Sequence, residues 1–131
     1  MTKIVSFLFL LILLNSCISE NRPSDKSLIC GNNSKTWEIS KTIVNGIHET
    51  KQTHEGKDRF VTFYSNGTVD IEGNNKNTWK INTGVINFNL TTGITTKSYN
   101  CEIIKLDKDS FIYRTIDNNE IIMEYLCSDI H

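Results

Sequence analysis

From Thr36 onward, apolar and polar residues alternate in short stretches, broken about every ten residues by clusters of Gly, Asn and Asp. A side-chain period of two belongs to pleated strands with one buried and one wet face, and the clusters mark the turns between them. Trp37, Ile39 and Ile43 alternate with Glu38, Ser40 and Thr42, and Val69 and Ile71 with Thr68, Asp70 and Glu72. Trp79 and Ile81 oppose Thr78 and Lys80, and Ile86, Phe88 and Leu90 oppose Val85, Asn87 and Asn89. Between these runs stand Ser65-Asn66-Gly67, Gly73-Asn74-Asn75, Asn82-Thr83-Gly84 and Asp117-Asn118-Asn119, residues that tolerate the positive φ of tight hairpins. Tyr99, Cys101 and Ile103 share a face while Ile104 and Leu106 fall on the other, which predicts a β-bulge between them. Phe111 with Tyr113, and Ile121 with Met123 and Tyr125, complete about eight strands, and no stretch carries a helical period.

Eight antiparallel strands in so short a chain must split into two sheets or close, because an open sheet leaves unpaired edges. The expected fold class is therefore all-β, a single antiparallel meander barrel. Barrels of this size either fill with side chains or hold one small ligand. The inward candidates, and so the candidate ligand-lining residues, are Val61, Phe63, Val69, Ile71, Trp79, Ile81, Ile86, Phe88, Phe111, Tyr113, Met123 and Tyr125. Trp37 reads as a plug at the base, with Arg114 as its cation-π partner.

The first residues obey a different rule. After Met1-Thr2-Lys3, ten of the eleven residues from Ile4 to Leu14 are apolar, and the run stops at Asn15-Ser16-Cys17. A charged start and an apolar core too short to span a bilayer describe an export signal rather than part of the fold. Leu14-Asn15-Ser16-Cys17 resembles the lipobox of bacterial lipoproteins. That resemblance implies cleavage before Cys17, diacylglycerol on its sulfur and acylation, commonly by palmitate, of the new amino terminus, which together anchor a protein stably without a transmembrane helix. The organisation expected is a signal peptide over 1–16, a lipidated cysteine and tether over 17–27 containing the sole proline, Pro23, and one domain over 28–131. Glu20, close behind Cys17, is similar to surface-export signals of Bacteroidetes lipoproteins, leaving periplasmic and surface-facing outer-membrane locations both open.

Within the domain, several segments resemble the lipocalin-like (calycin-type) lipoproteins of the Bacteroidetes. They are Trp37 opening the first strand, Phe63-Tyr64-Ser65-Asn66-Gly67-Thr68-Val69 as an F-x-x-x-G-T-V hairpin, and Trp79-Lys80-Ile81 as the end of a G-x-W-x-I strand with Asn77 in the glycine's place. Ile103 to Phe111 follows as I-x-x-L-x-x-D-x-F. The family pattern also has Gly two residues before its first Trp, where this chain has Lys35. The resemblance implies a binding protein rather than an enzyme, holding a small apolar ligand or a partner protein of the envelope. A packed barrel would instead suggest an interaction lipoprotein, such as an immunity, inhibitor or assembly component, working through its Asn- and Thr-rich outer face.

The chain carries 14 basic and 15 acidic residues, interspersed, so no phosphate-binding patch and no nucleic-acid partner is indicated. None of the G-x-S-x-G, H-E-x-x-H, C-x-x-C or glycine-rich phosphate motifs is present, and no enzyme activity, metal or cofactor is expected. His48, Glu49, His54, Glu55 and Asp58 share no register suited to a metal and read as part of a solvated loop, Asn45 to Asp58, the natural lid or contact segment. His131 reads as a frayed end. With Cys17 lipidated, Cys30, Cys101 and Cys127 allow three pairings. In a closed meander the first strand lies against the last, which favours Cys30 with Cys127, a bridge worth ~4 to 5 kcal/mol by loop entropy. Cys101 and Cys127 would be separated by a strand, roughly 9 to 10 Å, so Cys101 is expected as a buried thiol.

Overall fold

The computed structural model describes residues 24–49, 59–116 and 120–127. The expected signal peptide (1–16), Cys17, His54, Glu55, Asp58, Asp117-Asn118-Asn119 and His131 lie outside them. A short helix, α1 (Asp25–Cys30), leads into β1 (Ser34–Val44), β2 (Ile47–Glu49), β3 (Phe60–Tyr64), β4 (Thr68–Ile71), β5 (Asn74–Asn82), β6 (Val85–Thr92), β7 (Thr95–Leu106), β8 (Ser110–Ile116) and β9 (Glu120–Cys127). Each strand from β3 to β9 pairs antiparallel with the next, and β9 pairs back onto β1 from Trp37 to Val44, so eight strands close a meander barrel. Closure removes the free edges that an open sheet of this size would expose.

The ninth strand is an addition to the expected set. β2 folds back on the upper end of β1 through Asn45-Gly46, both at positive φ (49° and 81°), as a type I′ turn requires. Part of the polar segment expected to be loop is thus a hairpin arm beside the barrel wall. The lower end of β1, Ser34–Glu38, pairs with β3 on the same side.

Two bulges decide which side chains face inward. The register slips between Ile103 and Lys105, as the shift of apolar phase predicts. It slips also between Ile39 and Lys41, and this one corrects the expected pattern of β1. The extra residue reverses the alternation, so Thr42 is buried and Ile43 is not.

The turn after β4 is Glu72-Gly73 rather than Gly73-Asn74-Asn75, and the turn after β5 is Thr83-Gly84; all four residues have positive φ. Thr83 (φ 31°) is β-branched, in a region where a Cβ costs ~1 to 2 kcal/mol, and its hydroxyl reaches only Asn82 Oδ1, at 3.5 Å. Thr83→Asn should therefore raise stability by about 0.5 to 1 kcal/mol, seen as a melting temperature several degrees higher.

No helix was expected, yet α1 forms across the boundary between the expected tether (17–27) and the domain (28–131), and its capping explains why. Ser24 accepts the Ser27 N–H on its hydroxyl (3.2 Å), Asp25 sits in the first turn, and Gly31 at φ 62° ends the helix by donating its N–H to the Ser27 carbonyl (2.8 Å). Ile29 and Cys30 point into the core. The helix lies across the end of the barrel that carries the β3–β4, β5–β6 and β7–β8 turns, which we call the base. The β1–β2, β4–β5 and β6–β7 turns lie at the other end.

Candidate ligand cavity

The interior is packed at the base and hollow at the opposite end. Trp37 is the plug expected of it. It is fully buried, its indole N–H donates to the Ile29 carbonyl (2.8 Å), and its ring stands 5.9 Å from that of Phe111. The cation on that ring is Lys35, with its Nζ 4.0 Å from the centroid. Arg114, expected there, instead binds Glu102 on the neighbouring strand at 2.6 Å. β8 carries Arg114 on its outward alternation, beside the buried Phe111 and Tyr113 of the inward one, so it has no route to the base. Lys35 also donates to the carbonyls of Leu28 (3.1 Å) and Lys108 (2.8 Å), tying α1 and the β7–β8 turn to β1. In that turn Asp107 accepts the N–H groups of Asp109 (2.9 Å) and Ser110 (2.8 Å), which hold its carboxyl below the usual range.

Above the plug, Phe63 packs edge-on against Trp79 (5.3 Å between centroids) and next to Phe111 (6.0 Å). Val61, Val69 and Ile86 fill the remaining space and are all buried. The Trp79 indole donates to the Tyr64 carbonyl (3.0 Å). These six expected lining residues, Phe111 among them, are therefore core. Ile81 is half-buried and lines a separate depression between Lys26 and the β3–β4 turn.

Towards the far end the packing stops and leaves an open-mouthed cavity of about 210 Å³. Its floor is Phe88, Cys101 and Tyr113, and its walls are Ile71, Leu90, Tyr99, Thr115, Ile121 and Met123. Ile71, Phe88, Tyr113 and Met123 were expected there, whereas Leu90, Tyr99, Cys101, Thr115 and Ile121 were not. Leu90, Tyr99 and Cys101 already lay on inward alternations in the sequence. Ile121 did too, on the face of Met123 and Tyr125, and Thr115 could have been found by extending the phase of Phe111–Tyr113 by one step.

None of the described lining residues carries a charge. The polar groups are few and mostly engaged: Thr115 donates to the Ile121 carbonyl (3.1 Å), and Thr42 sends its hydroxyl to Met123 Sδ at 3.5 Å. At the floor, the hydroxyls of Tyr113 and Tyr125 meet at 2.8 Å. Burial pushes both phenols above their usual range, so both are neutral at physiological pH. Burial also pushes the Cys101 thiol up to about 12. At neutral pH it is a hydrogen-capped apolar group rather than a nucleophile, as expected of a structural thiol.

The expected Cys30–Cys127 bridge is not formed, and all three described cysteines are free thiols. Cys30 turns back into its own helix, with its thiol on the carbonyls of Lys26 (3.2 Å) and Gly31 (3.4 Å). Cys127 is held across from Trp37 and donates its N–H to the Asp109 carbonyl (2.8 Å). Antiparallel closure brings the two segments to one end of the barrel, but α1 directs the Cys30 side chain elsewhere. Cys101 lies level with Thr115 and then Ile121, six residues from Cys127 along β9, and is not paired with it.

The backbone of His48 and Glu49 belongs to β2, and no group of three or more metal-ligating side chains occurs among the described residues. No protein-family model, no curated protein and no solved structure matches the chain.

Proposed function

We propose that this chain is a lipid-anchored, lipocalin-like protein of the cell envelope that binds a small apolar ligand without chemically changing it. The observation that carries the reading is the cavity of about 210 Å³ at the barrel's open end, whose described lining residues are all uncharged. Cavities of ~150 Å³ lined by Leu, Ile and Phe take up benzene, so this one has room for about eight heavy atoms, and more where the mouth opens. The anchor is supported by the apolar run Ile4–Leu14 and by Leu14-Asn15-Ser16-Cys17. The chain enters the barrel through α1 at the base, so an anchor at Cys17 would leave the mouth at the end away from the tether.

Ligand binding is tested through Met123. The chain has two methionines, Met1 and Met123, so a ¹³C-methyl methionine spectrum assigned with Met123→Leu carries a single resonance from the cavity wall. Titrated ethylbenzene should shift that resonance saturably, with a Kd below about 1 mM, or ~4 kcal/mol. A resonance that stays still up to the solubility limit defeats the reading. For the anchor, radiolabelled palmitate should enter the wild-type protein and be absent from Cys17→Ala, which should also leave the membrane fraction.

The alternative, an interaction protein without a ligand, draws on the outer face of β5–β7. There Asn87 bonds Asn100, Ser98 bonds Asn89 and Thr91 bonds Thr96, forming a row of side-chain amides and hydroxyls. The hollow interior favours the first reading.

A further inference from the structure

We infer that the ligand is an uncharged, mostly apolar molecule with one hydrogen-bond acceptor, which takes the spare hydroxyl proton of the Tyr113–Tyr125 pair at the cavity floor. This rests on the proposed binding role and narrows it to a ligand class.

Two neutral phenols bring two protons, and their mutual bond at 2.8 Å uses one, whichever oxygen donates. The other proton has no acceptor among the described residues. Tyr113 forms part of the cavity surface and Tyr125 bonds directly to it, with exposures of 8% and 2%, so both hydroxyls are buried and the cavity is where a ligand would meet them. A buried donor without a partner is costly, and an acceptor delivered by a ligand removes that cost. Thr115 offers no competing donor, because its hydroxyl proton is already given to the Ile121 carbonyl. Tyr99 is half-buried and does not share the closed position of the pair.

Charge narrows the class further. A carboxylate at the floor would lie among Phe88, Cys101 and Tyr113 with no Lys or Arg among the described lining residues to neutralise it. Unpaired burial of an anion is far costlier than burial of a carbonyl. A ketone, aldehyde, ester or amide oxygen meets the spare proton without that penalty.

Three probes of nearly equal size separate the possibilities: ethylbenzene with no acceptor, acetophenone with one neutral acceptor, and benzoate with a charged one. Each is titrated into the full chain held in amphipol while the Met123 methyl resonance is followed. Partition into the amphipol is common to wild type and variants, so the ratio of their affinities isolates the hydroxyls. The double variant Tyr113→Phe/Tyr125→Phe removes both partners of a buried hydrogen bond at once, a change that is close to neutral for folding. It should bind acetophenone about two- to tenfold more weakly than wild type and ethylbenzene equally well. Tyr125→Phe alone leaves the Tyr113 hydroxyl on the cavity surface and should keep acetophenone binding. Benzoate at pH 7 should be the weakest of the three.

Equal losses for ethylbenzene and acetophenone in the double variant, undiminished acetophenone binding there, or benzoate binding as tightly as acetophenone would each overturn this inference while leaving the cavity a binding site. Failure of every probe to move the wild-type resonance would overturn the binding role itself, and this inference with it.

Discussion

Trp37→Ala should destabilise the protein by about 3 to 5 kcal/mol, enough to leave a domain of this size largely unfolded near its former melting temperature. The magnitude has three sources. The indole is fully buried against Phe111, so truncation opens a cavity the size of a bicyclic ring in the packed base. The Ile29 carbonyl loses its donor in a buried position. Lys35, which spans the carbonyls of Leu28 and Lys108, loses the ring face it stands over. Trp37→Phe separates these terms by keeping a ring while removing the N–H, and should cost about 1 to 2 kcal/mol more than the loss of ring area alone. In either variant Trp79 is the sole remaining tryptophan and reports denaturant unfolding directly. A midpoint for Trp37→Ala within 1 kcal/mol of wild type would mean that α1 and its plug add little to the barrel.

That the base depends on Trp37 was legible in the sequence, but its partner was not. A lysine two residues before the tryptophan lies on the same strand face, so Lys35 was available by the period of two alone. It reads as an exposed charge, because nothing local reveals that α1 and the β7–β8 turn would present carbonyls to it. The helix had a local signature. Ser24 and Gly31 are good cap residues at the two ends, with Pro23 just before, but six residues are too few for a 3.6 period to emerge. The barrel itself was legible because alternation and turn residues agree along most of the chain. Where phase alone was used, it failed at Ser40: the bulge there puts Thr42 inside and Ile43 out, and such a slip depends on how β1 meets β9 rather than on either strand's own sequence. The cavity's position was hidden for a related reason. Inward residues were identifiable, but which of them touch each other and which face a void depends on the stagger of eight strands. Large rings crowd the base, where Trp37, Phe63, Trp79 and Phe111 meet. The lining nearer the mouth is aliphatic or small, in Ile71, Leu90, Thr115 and Ile121.

The second large effect concerns that void. Cys101→Phe should abolish ethylbenzene binding, weakening it at least tenfold, while stabilising the protein by about 0.5 to 2 kcal/mol. Cys101 lies at the cavity floor with 1% exposure, its thiol has no hydrogen bond to lose, and a ring added there has space above it to occupy. The empty volume has a thermodynamic meaning of its own. At ~24 cal/mol per Å³, a dry cavity of about 210 Å³ would forgo on the order of 5 kcal/mol relative to a filled interior, an upper bound because the mouth admits water. A chain free to fill that space with Phe or Leu would gain stability by doing so, and stability forgone in this way is the pattern expected where binding needs the room. Leu90→Phe, which narrows the same cavity from the β6 wall, should behave similarly and guards against a misfit peculiar to position 101. Stability is read from denaturant midpoints, and binding from the Met123 methyl resonance in the same samples. Filled barrels that are more stable and no longer take up ethylbenzene would tie binding to the interior. A Cys101→Phe protein that gains stability yet binds as before would place binding outside the barrel, with the Asn and Thr rows of β5–β7 as the next surface to mutate.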